Sequence, residues 1–231
     1  RQVDDKLGMG LTAAALGHLL ASQRQFEIAS DLLEQTLSEL RKLPGDLLAG
    51  PKRIQYLLDV ALAANFLGQI ELGKGDHSRA AELFTDGLSA AQNAADRFTI
   101  LVSLYDLALG RQAAGRSDDA ADLLRQGISL AAEAGDEPSL ANYLEALAAL
   151  AAGQDRPERA TSLLAAASAL LEASGSGWLH AYVPRAPHDD GALAPLRARI
   201  AQTAFRQAWS HGRTLTRDDV VRYAIEEPEQ S

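Results

Sequence analysis

The residues best able to do chemistry in this sequence are a glycine-rich stretch with a lysine, five histidines, paired acids and a glycine–serine run. Gly68-Gln-Ile-Glu-Leu-Gly73-Lys74-Gly75 nearly matches a phosphate-binding loop. That loop needs a strand before it, a helix after it, and Ser or Thr after the Lys to reach a metal. Here Gly75 follows Lys74, and Gly68–Leu72 reads as helix interior, where the N–H groups are already used. Lys74 is then a cation at a helix C-terminus, complementing the dipole. His18, His77, His180, His188 and His211 show no metal-ligand spacing and no His-Glu-x-x-His. His180 and His188 flank an irregular connection with Asp189 and Asp190. A metal or substrate site is one reading of that stretch, and a surface loop the plainer one. Ser174-Gly-Ser-Gly177 lacks the sheet that holds a nucleophile elbow and reads as a flexible joint. Asp118-Asp119 and Asp218-Asp219 fall in first helical turns, where carboxylates favour the dipole. Glu226-Glu227 lies in a polar tail. We assign no catalytic residue, no metal ligand and no cofactor.

The elements that would position these residues repeat along the chain. Thirteen and twelve residues before Ala29 stand Leu16 and Gly17; the same offsets give Leu67-Gly68 from Ala80, Leu107-Ala108 from Ala120 and Leu147-Ala148 from Ala160. Four residues after each Ala come Leu33, Phe84, Leu124 and Leu164, then three further on Thr36, Gly87, Gly127 and Ala167. Small residues let two helix backbones approach, and the large residue fills the groove between helix pairs. Ala80, Ala120 and Ala160 are 40 residues apart, whereas Ala29 and Ala80 are 51 apart. The excess falls in the loop Lys42-Leu-Pro-Gly-Asp46. Turns recur near Arg24, Gly75, Gly115 and Asp155.

This register predicts helices over 4–22, 25–42, 52–74, 77–94, 97–114, 117–134, 137–152 and 156–173. Pro51 and Pro138 suit helix starts. Asp76 and Ser117 are expected as N-caps, and Gly75, Gly115, Gly135 and Gly153 as left-handed C-terminal residues. Residues 174–190 break the pattern and carry Trp178 and Tyr182. A helix is expected from Gly191 to Ser210, docking through Leu196, Ile200, Ala204, Phe205 and Trp209. Thr216 to Asp219 reads as a capping box opening a last helix through Ile225. The organisation is thus residues 1–173 as four helix pairs, 174–190 as an irregular connection, and 191–231 as capping helices with a polar tail.

Composition sets the outer limits. The chain has 231 residues, 47% hydrophobic and 23% charged, with 5% aromatic. Ala and Leu dominate, favouring close-packed helices. There is no cysteine, which excludes disulfides and thiolate chemistry. A net charge of −9 is a poor match to a phosphate backbone. No direct nucleic-acid binding by this segment is expected, nor a membrane span. The N-terminal Arg-Gln-Val-Asp-Asp is not a signal peptide and lacks a starting Met, as in a segment of a longer protein. The locally basic set Arg185, Arg197, Arg199, Arg206, Arg213, Arg217 and Arg222 suggests either a contact with DNA or an acidic partner, or ordinary helix surface.

The Leu-Gly step, the Gly-Asp turn and the following Ala resemble the tetratricopeptide repeat, with longer helices than its usual period of ~34 residues holds. HEAT pairs, with a period nearer ~40, are the alternative. The resemblance covers about residues 5–173 and implies an all-α, right-handed α-solenoid of TPR-like helix pairs with a C-terminal helical cap. It also implies that positions three before and one after each small residue face a ligand groove. In this chain those are Ala14 and His18, Asn65 and Gln69, Tyr105 and Leu109, Glu145 and Ala149, with Gln112 and Asn142 beside them. His18, Asn65, Gln69, Tyr105, Gln112, Asn142 and Glu145 are the candidate lining for a protein, a peptide or a small polar effector.

The closing stretch is similar to a particular group. Arg159-Ala-Thr-Ser-Leu-Leu-Ala-Ala-Ala-Ser-Ala-Leu-Leu, then Leu196-Arg197, then Phe205-Arg-Gln-Ala-Trp209-Ser-His-Gly212-Arg-Thr-Leu215 through Ala224 resemble the end of the repeat region in large actinobacterial LuxR-family, ATPase-type (MalT-like) transcriptional regulators. That resemblance implies a non-catalytic, cytoplasmic sensor and protein-interaction region, joined in the parent chain to ATPase and DNA-binding modules. The alternatives are a free-standing scaffold or adaptor, a self-association region forming a homo-oligomer, and an enzyme with its site at 178–190.

Overall fold

The structure is a computed structural model and describes residues 7–174 and 190–226. Its α-helices are α1 (Met9–Ser22), α2 (Phe26–Arg41), α3 (Pro51–Lys74), α4 (His77–Ala94), α5 (Arg97–Ala113), α6 (Ser117–Ala134), α7 (Glu137–Gly153), α8 (Pro157–Ser174), α9 (Asp190–Arg199), α10 (Gln202–Thr214) and α11 (Arg217–Ile225). A 3-10 turn, Gly45–Leu47, occupies the expected loop between the first two pairs. The described residues contain no strand. They fall into two compact units, one ending at Arg116 and the other beginning at Ser117.

The turn inside each helix pair is the same object four times. The N–H of the residue after the turn reaches back five residues: Gln25 to Leu20 O, Asp76 to Glu71 O, Arg116 to Arg111 O and Arg156 to Ala151 O, all at 2.9–3.0 Å. That bond requires a left-handed residue just before it. Arg24 (φ 62°), Gly75 (φ 87°), Gly115 (φ 75°) and Asp155 (φ 62°) supply it. The expectation for Gly153 is corrected: it ends α7, and Asp155 takes the left-handed position two residues on. Ser117 is also not a cap but the first residue of α6. Asp76 does cap, accepting the Arg79 N–H at 3.0 Å. Between pairs, Asp96 and Asp136 cap α5 and α7 by accepting from the N–H of Thr99 (2.8 Å) and of Ser139 (3.1 Å).

The small–large register is what closes the first two pairs. An alanine at Gly17 would bring Cβ to 2.9 Å from Leu33, and at Gly68 to 2.5 Å from Phe84. Gly110 of α5 would meet the same Phe84 ring at 3.0 Å. Phe84 therefore fills a slot between α3 and α5 that only glycine leaves open. Leu33, Phe84 and Leu124 are fully buried. Leu164 is only half-buried, and its neighbour Leu163 takes the core position.

The expected single helix from Gly191 to Ser210 is two helices, α9 and α10. Arg199 at the end of α9 donates to the Ala152 carbonyl and to Asp155, both at 2.6 Å, which ties it to the α7–α8 turn. Ala201 is then extended (φ −58°, ψ 144°) and re-aims the chain along α8. There Phe205, Ala208 and Gly212 are buried, while Ile200, Ala204 and Trp209 stay partly exposed. Ser162 Oγ donates to the Ala208 carbonyl at 3.0 Å, and a Cβ on Gly212 would lie 2.0 Å from the Ser162 carbonyl oxygen.

Candidate functional site

On α3, Asn65 and Gln69 stand one turn apart, and each reaches across to α5. Asn65 Nδ2 donates to Ser103 Oγ at 2.8 Å, wholly inside the protein. Gln69 Nε2 donates to both carboxylate oxygens of Asp106, at 2.9 and 3.1 Å. Ser103 and Asp106 are themselves one turn apart, so the two bridges form a short polar ladder between α3 and α5. Asp106 is 0% exposed. Burial pushes its carboxyl up to about 8, against the lowering effect of the Gln69 hydrogen bond. At neutral pH the group is therefore largely protonated. Asn65 Oδ1 is buried without a hydrogen-bond partner among the described residues and lies over Gly87, where a Cβ would be 2.1 Å away.

The other candidate positions are placed unequally. His18 is exposed, its ring 5.3 Å from Phe66 in an edge-on contact. Gln69 and Gln112 are half-buried. Asn65 and Tyr105 are buried in the first unit, and Asn142 and Glu145 in the second. Asn142 Nδ2 has no hydrogen-bond partner among the described residues. Of these positions in the first unit, only His18, Gln69 and Gln112 reach the surface. Ser103 and Asp106 escaped the register argument because it selects positions three before and one after the small residue. The signal that could have found Asp106 was a carboxylate inside the apolar run Ile100–Leu109.

Stretches considered for chemistry resolve into structural parts. Gly68–Lys74 is helical, inside α3, and Lys74 bonds Ser30 Oγ at 2.8 Å and Glu71 at 2.9 Å. His77 is exposed in the first turn of α4. His180, His188, Trp178, Tyr182 and Asp189 lie outside the described residues. Among the described residues no three His, Asp or Glu side chains converge to hold a metal. No described helix is long and apolar enough to cross a membrane.

The described arginines of the C-terminal helices are engaged. Arg213 pairs with Glu172 at 2.7 Å, Arg222 with Asp219 at 3.3 Å, and Arg217 with Glu137 at 2.7 Å. Arg217 also donates to the Ala132 carbonyl. Arg197 lies over the Phe205 ring at 5.1 Å, and Arg206 Nε donates to Gln202 O at 3.4 Å. From the other side, Arg159 donates to the carbonyls of Ala224 and Glu226 at 3.2 Å and covers Tyr223. The bonds of Arg213, Arg217 and Arg159 hold α10 and α11 onto α6–α8, and the engaged state of the described arginines makes ordinary helix surface the better reading of them. A cleft of about 270 Å³ beside Arg159 is lined by Arg125, Arg156, Asp118 and Asp122, so its cations are partly balanced.

No protein-family profile matches the chain, and no curated protein matches it. Solved structures do. One is a Podosopora anserina protein described as a kinesin light chain with nearly identical TPR-like repeats: 19% identity, TM-score 0.57, covering 92% of this chain and 93% of that one. A variant form of that protein aligns at 18% identity and TM-score 0.59, over 87% and 92%. At this identity the likeness shows the fold alone. The chain has an all-α, tetratricopeptide-like repeat fold.

Proposed function

We propose that this chain is a non-catalytic recognition region of the tetratricopeptide type, binding a protein segment, a peptide or a small polar effector along the first helices of its pairs. The observation that carries this reading is the Gln69–Asp106 bridge. Gln69 is half-buried at the surface, and its amide holds a buried carboxyl on the next pair. A ligand that competes for Gln69 changes what secures α3 to α5. Occupancy is thereby linked to the spacing of neighbouring pairs, in proportion to differential affinity for the two arrangements. The TPR-like repeat fold supports such a role.

The finer reading is a sensor region of a LuxR-family, ATPase-type regulator, supported by the Phe205…Trp209…Gly212-Arg213…Leu215…Ala224 series. In that setting the chain is cytoplasmic and passes the bias on α3 and α5 to attached ATPase and DNA-binding modules. The reading frame around this segment tests it. An ATPase upstream and a helix-turn-helix downstream support it, and a frame with neither removes it. In the first case, effector-dependent transcription must change when Gln69 and Gln112 are replaced by Ala. The second reading is a free-standing scaffold or adaptor. It is favoured by the similarity to repeats described as a kinesin light chain, and partner capture by the intact chain tests it.

A further inference from the structure

The two units each carry a cleft at the same place in the repeat register. Each cleft is lined by the leucine of a first helix, Leu67 or Leu147, and by the arginine before the small residue of the next helix, Arg79 or Arg159. The preceding second helix contributes the residue five after its own small residue, and there the clefts differ. It is Glu34 in the first unit and Arg125 in the second. In the first unit each cation of the cleft has an acid: Arg41 pairs with Asp86 at 3.1 Å, Lys42 with Glu39 at 2.8 Å and Arg79 with Glu82 at 3.4 Å. In the second unit the register position of Glu82 is held by Ser162, which is buried and bonds the Ala208 carbonyl. Arg125 bonds Asp122 at 2.9 Å, whereas Arg156 and Arg159 have no carboxylate partner among the described residues. Burial holds the Arg159 guanidinium below its ordinary range; Tyr223 opposes this, and the charges of Arg125 and Arg156 add to it. Three guanidinium groups thus share one cleft with their repulsion incompletely relieved.

We propose that the cleft of the second unit binds a small phosphorylated polyol, its phosphoryl group held by Arg156 and Arg159 and its hydroxyl groups by Asp118 and Gln154. A guanidinium fork matches a phosphoryl group by donating to two of its oxygens at once. Arg156 is exposed and Arg159 half-buried, so the pair leads from solvent into the cleft. Asp118 makes the ligand more than a bare anion. It lines the same cleft, is exposed and has no hydrogen bond or ion pair among the described residues. An ionised carboxylate repels phosphate and accepts from a hydroxyl. Size agrees with this class. At about 270 Å³ the cleft lies just below the about 300–1,000 Å³ of drug-sized sites, which suits a molecule of a few carbons. The site lies wholly in the second unit and owes nothing to Gln69 or Asp106.

The test is calorimetric titration of the intact chain at about 150 mM NaCl, where loose surface attraction is screened. The probes are glycerol 3-phosphate, ribose 5-phosphate, inorganic phosphate and glycerol. At least one of the two phosphate esters is expected to saturate a single site with Kd below about 1 mM. Inorganic phosphate binds more weakly, and glycerol does not bind. Arg156→Gln weakens the ester at least about tenfold, with an unchanged helical circular dichroism spectrum, since this exposed side chain supports no other part of the fold. Asp118→Asn tightens inorganic phosphate and narrows its gap to the ester. Arg41→Gln, in the balanced cleft of the first unit, changes nothing. The proposal is overturned if neither ester saturates, or if binding survives Arg156→Gln. Equal losses at Arg156→Gln and Arg41→Gln, or inorganic phosphate binding as tightly as both esters, overturn it too.

Discussion

Asp59 of α3 accepts the backbone N–H of Gly8 at 2.8 Å and that of Leu11 at 3.2 Å. A helix usually satisfies its first N–H groups with its own cap residue. Here the residue before α1 is Gly8, which has no side chain, and the carboxylate comes from the neighbouring pair. Gln55 Nε2 steadies the same carboxylate at 2.9 Å. Gly10 must remain glycine, since a Cβ there would lie 2.3 Å from Asp59 Cβ. The N-terminal turn of α1 is thus capped by an acidic side chain of α3.

Asp59→Ala is expected to free α1 selectively. Two helix-terminal N–H groups lose their acceptor, at a cost of about 1–3 kcal/mol. Amide exchange should accelerate over residues 9–22 and remain unchanged over α4 and α5. Uniform acceleration would show that the carboxylate supports the whole unit instead.

The raised pKa of Asp106 has a definite pH signature. In the unfolded chain the group ionises near 3.8, in the folded chain at about 8. Between those values the folded state holds the proton and the unfolded state does not, so this group's contribution falls as pH rises. The slope is about 1.4 kcal/mol per pH unit across that window, and it levels off above about pH 8. Asp106→Asn keeps a group that can accept from Gln69 and removes the titration. Its stability relative to the parent should increase from pH 5 to pH 8, measured by urea unfolding. A constant difference across that range would contradict the assignment.

Gly87→Ala should destabilise the first unit by about 1–3 kcal/mol, because the new Cβ meets Asn65 Oδ1. Asn65→Ala removes that atom. The double variant Asn65→Ala with Gly87→Ala should therefore recover part of the Gly87→Ala loss, giving a coupling above about 0.5 kcal/mol in a double-mutant cycle. Simple additivity would mean that the two positions do not meet.

Gly212→Ala confronts the α8 backbone at Ser162 O and not a movable side chain. It should loosen α10 and α11 from α8, visible as proteolytic cleavage after residue 200 with the rest of the chain intact. Loss of the whole second unit would indicate that the cap and the α6–α8 helices fold inseparably.

Much of this architecture is legible in the residues. The turn signature is short, so the turns near Arg24, Gly75, Gly115 and Asp155 reveal themselves by spacing, although the left-handed residue of the last is Asp155 where the sequence points to Gly153. Gly17 with Leu33 and Gly68 with Phe84 are legible because close packing couples small to large. What escaped has physical causes too. The break at Ile200–Ala201 carries no Gly or Pro; it follows from the tie between Arg199 and Asp155, a contact distant in sequence. The candidate face is more closed than its register suggests. Periodicity tells which residues share a side of a helix, but not how closely the next helix covers it. Asn65 and Tyr105 are covered, whereas Gln69 and Gln112 remain at the surface. Asp106 was missed because a polar residue in an apolar run reads as a neighbour of the pattern until its partner Gln69 is seen.

The central claim is that the polar side of α3 and α5 recognises a ligand through Gln69. The most direct measurement is binding of the intact chain to an array of extended peptides of mixed composition, alongside Gln69→Ala and Gln112→Ala variants and an Arg206→Ala control. The account predicts a restricted set of bound sequences, each weakened at least about tenfold by Gln69→Ala, or about 1.4 kcal/mol, and unaffected by Arg206→Ala. Binding that ignores Gln69 and Gln112 would contradict it and place recognition elsewhere on the chain.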